Sequence, residues 1–351
     1  MVLMPVRSAV LARGEVDFHL HTTTSDGSYT GKQVVDFLMA SGVGVAAITD
    51  HDSTAAIRDP ALWRYLDTLG PAAPQIVPGV EITCSLKEPL VQGGLQALHI
   101  IGLGVNPKHP KLRKALMCQR LAQDARMRHC ITELRADGHD IQYSRVGVAA
   151  GRRRANAWDM ARLLVGQPGV SSKTKATKLI RSHLTDYRQP PVGSALDAGN
   201  VMSHPERFAL EPEDAIALIH EAGGVAVLAH PHRNVPTHDE EVLRALFTNL
   251  KNKGLDAAEG YRHLLAEEHR PIYRRIMRET GLLISGGSDF HRFHHGDNDR
   301  CPGDADAPSS LWKSFEELIV RRGGLTDIRQ MRVPIAPRAN ASERLHLNRA
   351  G

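Results

Sequence analysis

Cysteine pairs are absent from this sequence of 351 residues. The four cysteines, Cys84, Cys118, Cys130 and Cys301, are scattered, and no Cys-x-x-Cys motif occurs. This spacing argues against a disulfide framework and against a zinc site built from paired thiolates. We therefore expect reduced thiols in a cytoplasmic protein.

Long uncharged apolar runs are also missing. Arg7 and Arg13 interrupt the apolar stretch at the N-terminus, which makes it too short for a signal peptide or a membrane span. No Gly-rich fingerprint follows the first predicted strand, so a dinucleotide-binding fold is disfavoured. The composition, with 42% hydrophobic and 24% charged residues, is typical of a soluble globular protein. A net charge of +5 suits an anionic substrate.

Strand-like and helix-like segments alternate along most of the chain. Strand-like runs lie near residues 15–20, 45–49, 76–83, 97–104, 225–229, 255–259 and 282–285. Helical periodicity lies between most of them, around residues 31–41, 54–69, 212–222, 240–252 and 263–280. This alternation predicts parallel βα units, and seven such strands favour a barrel over an open sheet.

One long segment breaks the alternation. It begins with a charged helix predicted from Pro110 to Asp137, and shorter helices are predicted at Ala157–Val165 and Lys173–His183. We interpret it as a helical insertion between two barrel strands. The predicted organisation is a first barrel part at 15–107, the insertion as a substrate cap at 108–210, a second barrel part at 211–332 and a disordered tail at 333–351.

Histidines and carboxylates cluster at the ends of the predicted strands. His19 and His21 are two residues apart at the end of the first run, so both imidazoles should point the same way and meet a divalent metal. The stretches ITDHD, VLAHPH and GGSDFH repeat this arrangement after later apolar runs. An α/β barrel assembles its active site at the carboxyl ends of its strands in this way.

The combined set of candidate ligands is larger than one ion needs. Its members are His19, His21, Asp26, His51, Glu81, His99, His230, Asp289 and His291. Two or three ions that share carboxylates would use them all, and imidazole with carboxylate suits Mn²⁺, with Zn²⁺ and Fe²⁺ as alternatives. A carboxylate that holds two ions about 3.5–4 Å apart suits a bridging hydroxide that attacks phosphorus.

Six motifs make a family resemblance specific. DFHLHTTTSDGSYT, AITDHDSTAA, PGVEIT, HIIGLG, GGVAVLAHP and GGSDFH occur in this order within residues 15–332. They resemble the motifs of the PHP (polymerase and histidinol phosphatase) family. The spacing is most similar to the branch of nucleoside 3′,5′-bisphosphate phosphatases and 5′→3′ exoribonucleases, which carries a helical insert before the AHP strand.

The resemblance implies an α/β fold, a distorted (β/α)₇ barrel with a helical insertion and a centre of two or three metals. Asp50 would orient the neighbouring His51. The resemblance also implies catalytic roles for Asp289, His291 and Glu81, with Asp289 both binding metal and handling a proton. The implied ligands are His19 and His21 for the first ion, Glu81 as a bridge to the second ion with His99 and His230, and Asp26, His51 and His291 for the third ion.

The insertion departs from this branch where substrate contacts are expected. Relatives carry an Arg-x-His-x-Ala-Arg type motif whose His helps to bind the substrate phosphate. Here the stretch NAWDMARLLV places Asp159 at the His position and keeps Arg162. Asp159 is either part of a changed substrate pocket or a surface or capping residue. Arg188 and Arg233 are the other candidate substrate-binding residues, and Arg233 follows the predicted ligand His230.

Three functions remain open at this point. The first is metal-dependent hydrolysis, by a metal-bridging hydroxide, of a phosphomonoester on a small nucleotide-like substrate such as a nucleoside 3′,5′-bisphosphate. The second is a phosphodiesterase or 5′→3′ exonuclease that acts on short RNA or DNA. The third is a non-catalytic metal-binding module, similar to the inactivated PHP domains of some polymerases. The sequence indicates neither a membrane nor a protein as a partner.

Overall fold

A computed structural model describes most of the chain. The described residues are 15–86, 97–150, 157–185, 209–235, 238–262, 264–293 and 301–332. The predicted tail at 333–351 and the candidate Arg188 lie outside these ranges.

Seven strands form one sheet, with neighbours in chain order from β1 to β7. Each strand coincides with one of the predicted runs to within a few residues. The strands are β1 (Glu15–Leu20), β2 (Val43–Ile48), β3 (Gln75–Ser85), β4 (Ala97–Leu103), β5 (Val225–Leu228), β6 (Ala257–Tyr261) and β7 (Leu283–Gly286).

Helices follow or separate most of these strands. The described residues also include 3₁₀ turns at Ala56–Arg58, Gly70–Ala72 and Ile328–Arg332. No helix in the described part of the chain combines the length and the apolar character that crossing a membrane requires. The helices are α1 (Gly31–Ala40), α2 (Pro60–Leu69), α3 (Pro110–Ala136), α4 (Tyr143–Ala150), α5 (Ala157–Leu164), α6 (Lys173–Thr185), α7 (Pro212–Glu221), α8 (Pro231–Asn234), α9 (Glu240–Asn252), α10 (Arg270–Glu279) and α11 (Ser310–Arg322).

Prolines determine where two predicted helices differ from the observed ones. The helix predicted over 263–280 is wrong at its start, because α10 begins at Arg270 with Pro271 in its first turn. The helix predicted over 54–69 is divided, since α2 begins at Pro60 and Asp59 caps it by accepting from the backbone N–H of Ala61. Proline has no N–H and fits a helix only in the first turn, so it marks a start.

The strand β4 corrects the prediction of uniformly parallel βα units. It runs antiparallel to both β3 and β5, while the other neighbouring pairs are parallel. The antiparallel register pairs Ser85 at the end of β3 with Ala97 at the beginning of β4. The chain therefore turns back on itself and enters β4 at the end of the sheet where β3 stops.

Backbone hydrogen bonds join the two edges of the sheet. The N–H of His21, next to β1, donates to the carbonyl of Phe290 at 3.0 Å, and the N–H of Asp289 donates to the carbonyl of His19 at 2.9 Å. These bonds connect β1 to the segment after β7. The sheet is thus curled into the distorted barrel that was predicted.

The insertion has an apolar cluster of its own. The second half of α3 packs with α4, α5 and α6 through buried residues that include Cys130, Leu134, Val146, Leu164 and Ile180. A different cluster, with Phe18, Val77 and Val227, lies between the strands and α11. The first half of α3 packs against the barrel instead, so this one helix connects the two parts.

Candidate metal centre

The predicted ligands meet at one rim of the barrel. His21 directly follows β1, His51 follows β2, His230 follows β5 and Asp289 follows β7. All four strands run in the same direction, so their carboxyl ends lie at the same edge. The fold therefore brings together side chains that are up to about 270 positions apart in the chain.

His99 reaches this rim by a different route. It lies near the beginning of β4, and it faces Thr83 of β3 in the antiparallel register. Because β4 is reversed, its amino end lies beside the carboxyl ends of the parallel strands. Nδ1 of His99 thereby comes to 2.9 Å from Oε1 of Glu81, which is diagonally opposite on the same face.

Glu81 is the centre of the arrangement, and its side chain is fully buried. Five imidazole nitrogens converge on its two carboxylate oxygens. Oε2 lies 3.1 Å from Nε2 of His19, 3.1 Å from Nε2 of His21 and 3.1 Å from Nδ1 of His51. Oε1 lies 2.9 Å from Nδ1 of His99 and 3.0 Å from Nε2 of His230.

A second carboxylate gathers a smaller group. Oδ1 of Asp26 lies 3.1 Å from Nε2 of His291, 3.7 Å from Nδ1 of His21 and 3.9 Å from Nε2 of His51. His21 and His51 thus direct one ring nitrogen toward Asp26 and the other toward Glu81. The two groups of ligand atoms are contiguous.

Asp289 borders the centre on the side that carries arginines. Its Oδ1 lies 3.4 Å from Nε2 of both His19 and His21. Its Oδ2 accepts from Nη2 of Arg262 at 3.2 Å and from Nη2 of Arg233 at 3.3 Å. The carboxylate therefore faces the imidazoles with one oxygen and positive charge with the other.

The backbone is strained at two residues of the centre. Asp289 has a φ of 56° and His230 a φ of 34°, in the left-handed region that residues with a Cβ rarely adopt. Such conformations cost free energy and persist where the surrounding structure enforces them, commonly at functional sites. Here the two strained residues place side chains directly beside Glu81 and its imidazoles.

The donor atoms fit divalent cations. Within the described residues, three overlapping sets offer ligand atoms within 4.8 Å of one another: His21, Asp26, His51 and His291; His19, His21 and Glu81; His51, Glu81 and His99. Several of these atoms are buried without a hydrogen bond, among them Oε2 of Glu81, Oδ1 of Asp26 and Nδ1 of His51. Unsatisfied buried polar atoms are costly, and a bound cation would satisfy them.

The electrostatics favour an ionised carboxylate at Glu81 and divide the imidazoles into two groups. Burial alone would raise the pKa of Glu81, but His51, His19 and His99 hold it well below its ordinary value. Burial lowers the pKa of His51 to about 4 and that of His230 to about 4. Burial would also lower the pKa of His19, His21 and His99, but the neighbouring carboxylates raise it, to about 9 for His19. Metal ligands must be deprotonated, so a bound cation would displace the protons of these three imidazoles.

Asp50 has a different role from the predicted one. It does not orient His51: its carboxylate accepts from the hydroxyl of Thr22 at 2.7 Å and from the hydroxyl of Ser25 at 2.6 Å. The oxygen of Ser25 lies 3.4 Å from Nδ1 of His21. Asp50 therefore stabilises the loop that follows His21, because two hydroxyl groups of that loop donate to its carboxylate.

Two buried residues of the centre were missed by the sequence analysis. Glu259 on β6 lies with Oε1 2.7 Å from Nδ1 of His19, and its Oε2 accepts from the backbone N–H of His230 at 2.6 Å. Arg262, 1% exposed, donates from Nη1 to Oε2 of Glu259 at 2.6 Å. Glu259 ends the strand predicted over residues 255–259, and a carboxylate at that position could have identified it as a candidate for the centre.

The predicted substrate-binding residues differ in their distance from the metal centre and in their exposure to solvent. Arg233 on α8 reaches Asp289, and its side chain is 44% exposed, so it connects the centre with solvent. Arg162 is exposed on α5, and no contact between the described residues joins it to the centre. The surface interpretation of Asp159 is wrong, since this residue is fully buried in the first turn of α5. A carboxylate there complements the positive end of the helix dipole.

Comparison with known proteins agrees with this arrangement. The chain is 30% identical over 281 residues to the 5′-3′ exoribonuclease Rnm of Escherichia coli K12, covering 79% of this chain and 85% of that protein. It is 29% identical over 314 residues to the 3′,5′-nucleoside bisphosphate phosphatase of Chromobacterium violaceum, covering 87% of this chain and 98% of that protein. A scan against models of protein families gave no match.

A solved structure supports the fold. A protein described as a metal-dependent phosphoesterase from Bifidobacterium adolescentis superimposes with a TM-score of 0.63 and 22% sequence identity. The superposition covers 88% of this chain and 97% of that one. With the similarity to the exoribonuclease and the phosphatase, the chain belongs to the PHP family of metal-dependent phosphoesterases, in the branch of nucleoside bisphosphate phosphatases and exoribonucleases.

Proposed function

We propose that this phosphoesterase removes the phosphate of a phosphomonoester from a small nucleotide-like substrate, such as a nucleoside 3′,5′-bisphosphate. The observation that carries the proposal is the convergence of five imidazoles on Glu81, with Asp26 and Asp289 beside them. This donor set suits several divalent cations held close together. The similarity to a protein named as a bisphosphate phosphatase, over 87% of this chain, supports the substrate class.

The proposed ligand assignment is the one that the resemblance to the PHP family implies. Glu81 would be shared by the first and second ions, and Asp289 would lie beside the first. Mn²⁺ is the preferred ion, with Zn²⁺ and Fe²⁺ as alternatives. We assign His19 and His21 to the first ion, His99 and His230 to the second, and Asp26, His51 and His291 to the third.

The bound ions would supply positive charge for the phosphate oxygens and lower the pKa of a nearby water. The side chains of this protein hold and orient the reacting groups around them. Burial would raise the pKa of Asp289, but His19, His21, His291 and Arg262 hold it well below its ordinary value. Its carboxylate is therefore ionised at neutral pH, as a metal ligand must be. The transfer of a proton by Asp289 stays a prediction from the family resemblance.

Arg233 is the best placed candidate for contact with substrate. It follows His230 on α8, and its guanidinium lies beside Asp289 while remaining partly exposed. A guanidinium in this position can donate two parallel hydrogen bonds to a phosphate that enters from solvent. Arg162, Arg188 and Asp159 stay predictions as substrate contacts.

Release of phosphate from adenosine 3′,5′-bisphosphate by the Mn²⁺-loaded protein tests the proposal. Asp289→Asn keeps the size of the side chain and removes its charge, so the rate should fall by about 10²-fold or more. Asp140→Asn is a matched control, because Asp140 is an exposed residue of the insertion whose carboxylate pairs with Arg145. Full activity of Asp289→Asn with normal metal content would refute the assignment, as would an inactive wild-type protein.

A 5′→3′ exonuclease activity on short RNA or DNA is the second candidate. A basic groove beside the metal centre, between the loop after β2 and α3, favours it. Stepwise release of 5′-mononucleotides from a 5′-phosphorylated tetranucleotide would identify this activity. A non-catalytic module is not retained, since the similar proteins are named as enzymes.

A further inference from the structure

Asp52 is a fully buried carboxylate that directly follows the proposed ligand His51 in the chain. Its backbone has a φ of 48°, in the left-handed region that residues with a Cβ rarely adopt. Such a conformation costs free energy and persists where the surrounding contacts enforce it. The contacts that hold Asp52 therefore also fix the loop that carries His51.

Backbone hydrogen bonds connect this loop to β3. The N–H of Asp52 donates to the carbonyl of Glu81 at 2.8 Å, and the N–H of Glu81 donates to the carbonyl of Asp50 at 3.3 Å. Oδ1 of Asp52 accepts from the N–H of Thr83 at 3.0 Å. The backbone of His51 is thus held beside that of Glu81, the central carboxylate of the metal centre.

Two glutamines of α3 also donate to the carboxylate of Asp52. Nε2 of Gln123 lies 2.5 Å from Oδ2, and Nε2 of Gln119 lies 3.5 Å from Oδ1. Nε2 of Gln119 donates to the carbonyl of Thr83 at 2.5 Å as well. A buried carboxylate depends on such donors because it has lost its hydration. Asp52, Gln119 and Gln123 are called the Asp52 network below.

The Asp52 network lies where α3 passes from the barrel to the insertion. Leu116 and Ala122 of α3 belong to the apolar cluster that packs against the barrel, whereas Met127 belongs to the cluster of the insertion. Gln119 and Gln123 are four residues apart near the end of the first group, so they share one face of the helix. The position of α3 therefore affects the loop of His51 through these two side chains.

The ring of His51 requires accurate placement. Its Nδ1 lies 3.1 Å from Oε2 of Glu81, and its Nε2 lies 3.9 Å from Oδ1 of Asp26. A displacement of the loop would move both nitrogens relative to these carboxylates. Metal–ligand distances tolerate deviations of only about 0.2 Å, so even a small displacement would weaken binding of a cation.

We propose that Asp52, Gln119 and Gln123 are positioning residues for His51, and that α3 controls through them the binding of the ion that His51 holds. The proposal rests on the metal centre of the proposed function, and it adds a link from that centre to the insertion. Groups that orient a ligand typically change metal affinity about 10- to 100-fold when they are replaced. Such coupling is reciprocal, so the bound ion should in turn stabilise α3.

Isothermal titration calorimetry of the metal-free protein with Mn²⁺ tests the Asp52 network. His51→Ala identifies the binding step that depends on His51. Gln123→Glu places a second carboxylate against Asp52, and the repulsion should weaken this step about tenfold and leave the other steps within about twofold of wild type. Gln142→Glu is the matched control, because it makes the same chemical change at an exposed residue of the insertion.

Exchanging donor and acceptor should restore the binding step. In the double variant Asp52→Asn with Gln123→Glu, the amide at position 52 donates to the carboxylate at position 123, while its oxygen still accepts from Thr83. The Mn²⁺ affinity should then return to within about threefold of wild type, since two residues in contact are not additive. A double variant as weak as Gln123→Glu or weaker would overturn the pairing of these two side chains.

Hydrogen exchange tests the reciprocal effect on the insertion. Mn²⁺ should slow exchange of the backbone amides in the second half of α3 in wild type, and should slow it less in Gln123→Glu. Equal slowing in the two proteins would overturn the control of the metal centre by α3.

These measurements separate the Asp52 network from the proposed function. Equal Mn²⁺ affinities of wild type and Gln123→Glu would overturn the network and leave the metal centre intact. A wild type that binds no Mn²⁺ would overturn both. A wild type that binds Mn²⁺ through the network but leaves adenosine 3′,5′-bisphosphate intact would overturn the proposed substrate and support the network.

Discussion

Nδ1 of His19 on β1 lies 2.7 Å from Oε1 of Glu259 on β6, and both side chains are buried. Burial would raise the pKa of Glu259, but Arg262 and His19 lower it to about 2. The carboxylate is therefore ionised and accepts the Nδ1 proton. Glu81, Glu259 and Asp289 raise the pKa of His19 to about 9, against the effect of burial, so a cation would displace the proton of Nε2. Glu259 would then orient the ring toward that cation, as a carboxylate does for a histidine ligand in metal sites.

Glu259→Gln should weaken Mn²⁺ binding about 10- to 100-fold, because the amide supports His19 less well than a carboxylate does. Isothermal titration calorimetry of the metal-free protein with Mn²⁺ measures this affinity directly. Glu279→Gln makes the same chemical change at an exposed residue of α10 that pairs with Arg244. Equal affinities of the two variants for Mn²⁺ would show that Glu259 does not support the metal centre.

Arg233→Ala should lower kcat/KM for adenosine 3′,5′-bisphosphate about 10²-fold, since one positioned cation contributes about 2–4 kcal/mol to transition-state stabilisation. Its metal content should remain that of wild type, because the guanidinium of Arg233 contacts Asp289 and none of the imidazoles in the described part of the centre. Steady-state kinetics and metal analysis measure the two effects separately.

Arg244→Ala provides the control for Arg233, because it removes an exposed arginine of α9 that pairs with Glu279. Arg233→Lys keeps the charge but not the planar pair of donors, so it should recover only part of the lost rate. A normal kcat/KM in Arg233→Ala would exclude contact between Arg233 and the reacting phosphate.

The strands and most of the centre were predictable because both depend on local patterns. Short apolar runs mark the strands, and polar side chains at their carboxyl ends must meet once the strands form a barrel. This rule places His21, His51, His230 and Asp289 correctly at one rim. Glu259 obeys the same rule, but it lies within a strand whose sequence AAEGY carries no recognised motif.

Other features depend on contacts that no local pattern encodes. The reversed direction of β4 is not visible in its apolar run, which would suit a parallel strand equally well. Asp50 bonds to Thr22 and Ser25, which lie more than twenty positions away in the chain. Asp159 is buried by packing of the insertion helices, whereas its sequence neighbours suggested exposure.

Asp256 makes the stability of the barrel depend on pH. Burial would raise its pKa, but hydrogen bonds from His220 and Arg322 lower it to about 2 from 3.8. A carboxyl group with a depressed folded pKa stabilises the fold above its unfolded pKa, and this contribution is lost as the pH falls through the folded value. Asp256→Asn should therefore cost about 2 kcal/mol of unfolding free energy at pH 7.

The difference in stability between wild type and Asp256→Asn should shrink as the pH falls from 3.8 toward about 2. Urea unfolding in the presence of a chelator measures it without a contribution from bound metal. The exposed pair of Asp140 and Arg145 supplies the comparison, and Asp140→Asn should change the free energy by less than about 1 kcal/mol. A pH-independent difference for Asp256→Asn would contradict the depressed pKa.

Gly287 allows β7 to approach His19 closely. A Cβ added at Gly287 would lie 2.3 Å from Cβ of His19 and 2.8 Å from its backbone nitrogen. Gly287→Ala must therefore displace His19 from Glu81 and Glu259. The expected result is a loss of about 1–3 kcal/mol in stability from overpacking, together with weaker Mn²⁺ binding.

Gly44→Ala is the matched control for this substitution. A Cβ at Gly44 on β2 would meet no atom within 4 Å, so the same chemical change adds no clash there. Thermal unfolding and Mn²⁺ titration of both variants should separate them, with Gly44→Ala close to wild type in each. If Gly287→Ala kept the Mn²⁺ affinity of Gly44→Ala, the position of His19 would not limit metal binding, and its proposed role as a ligand of the first ion would fail.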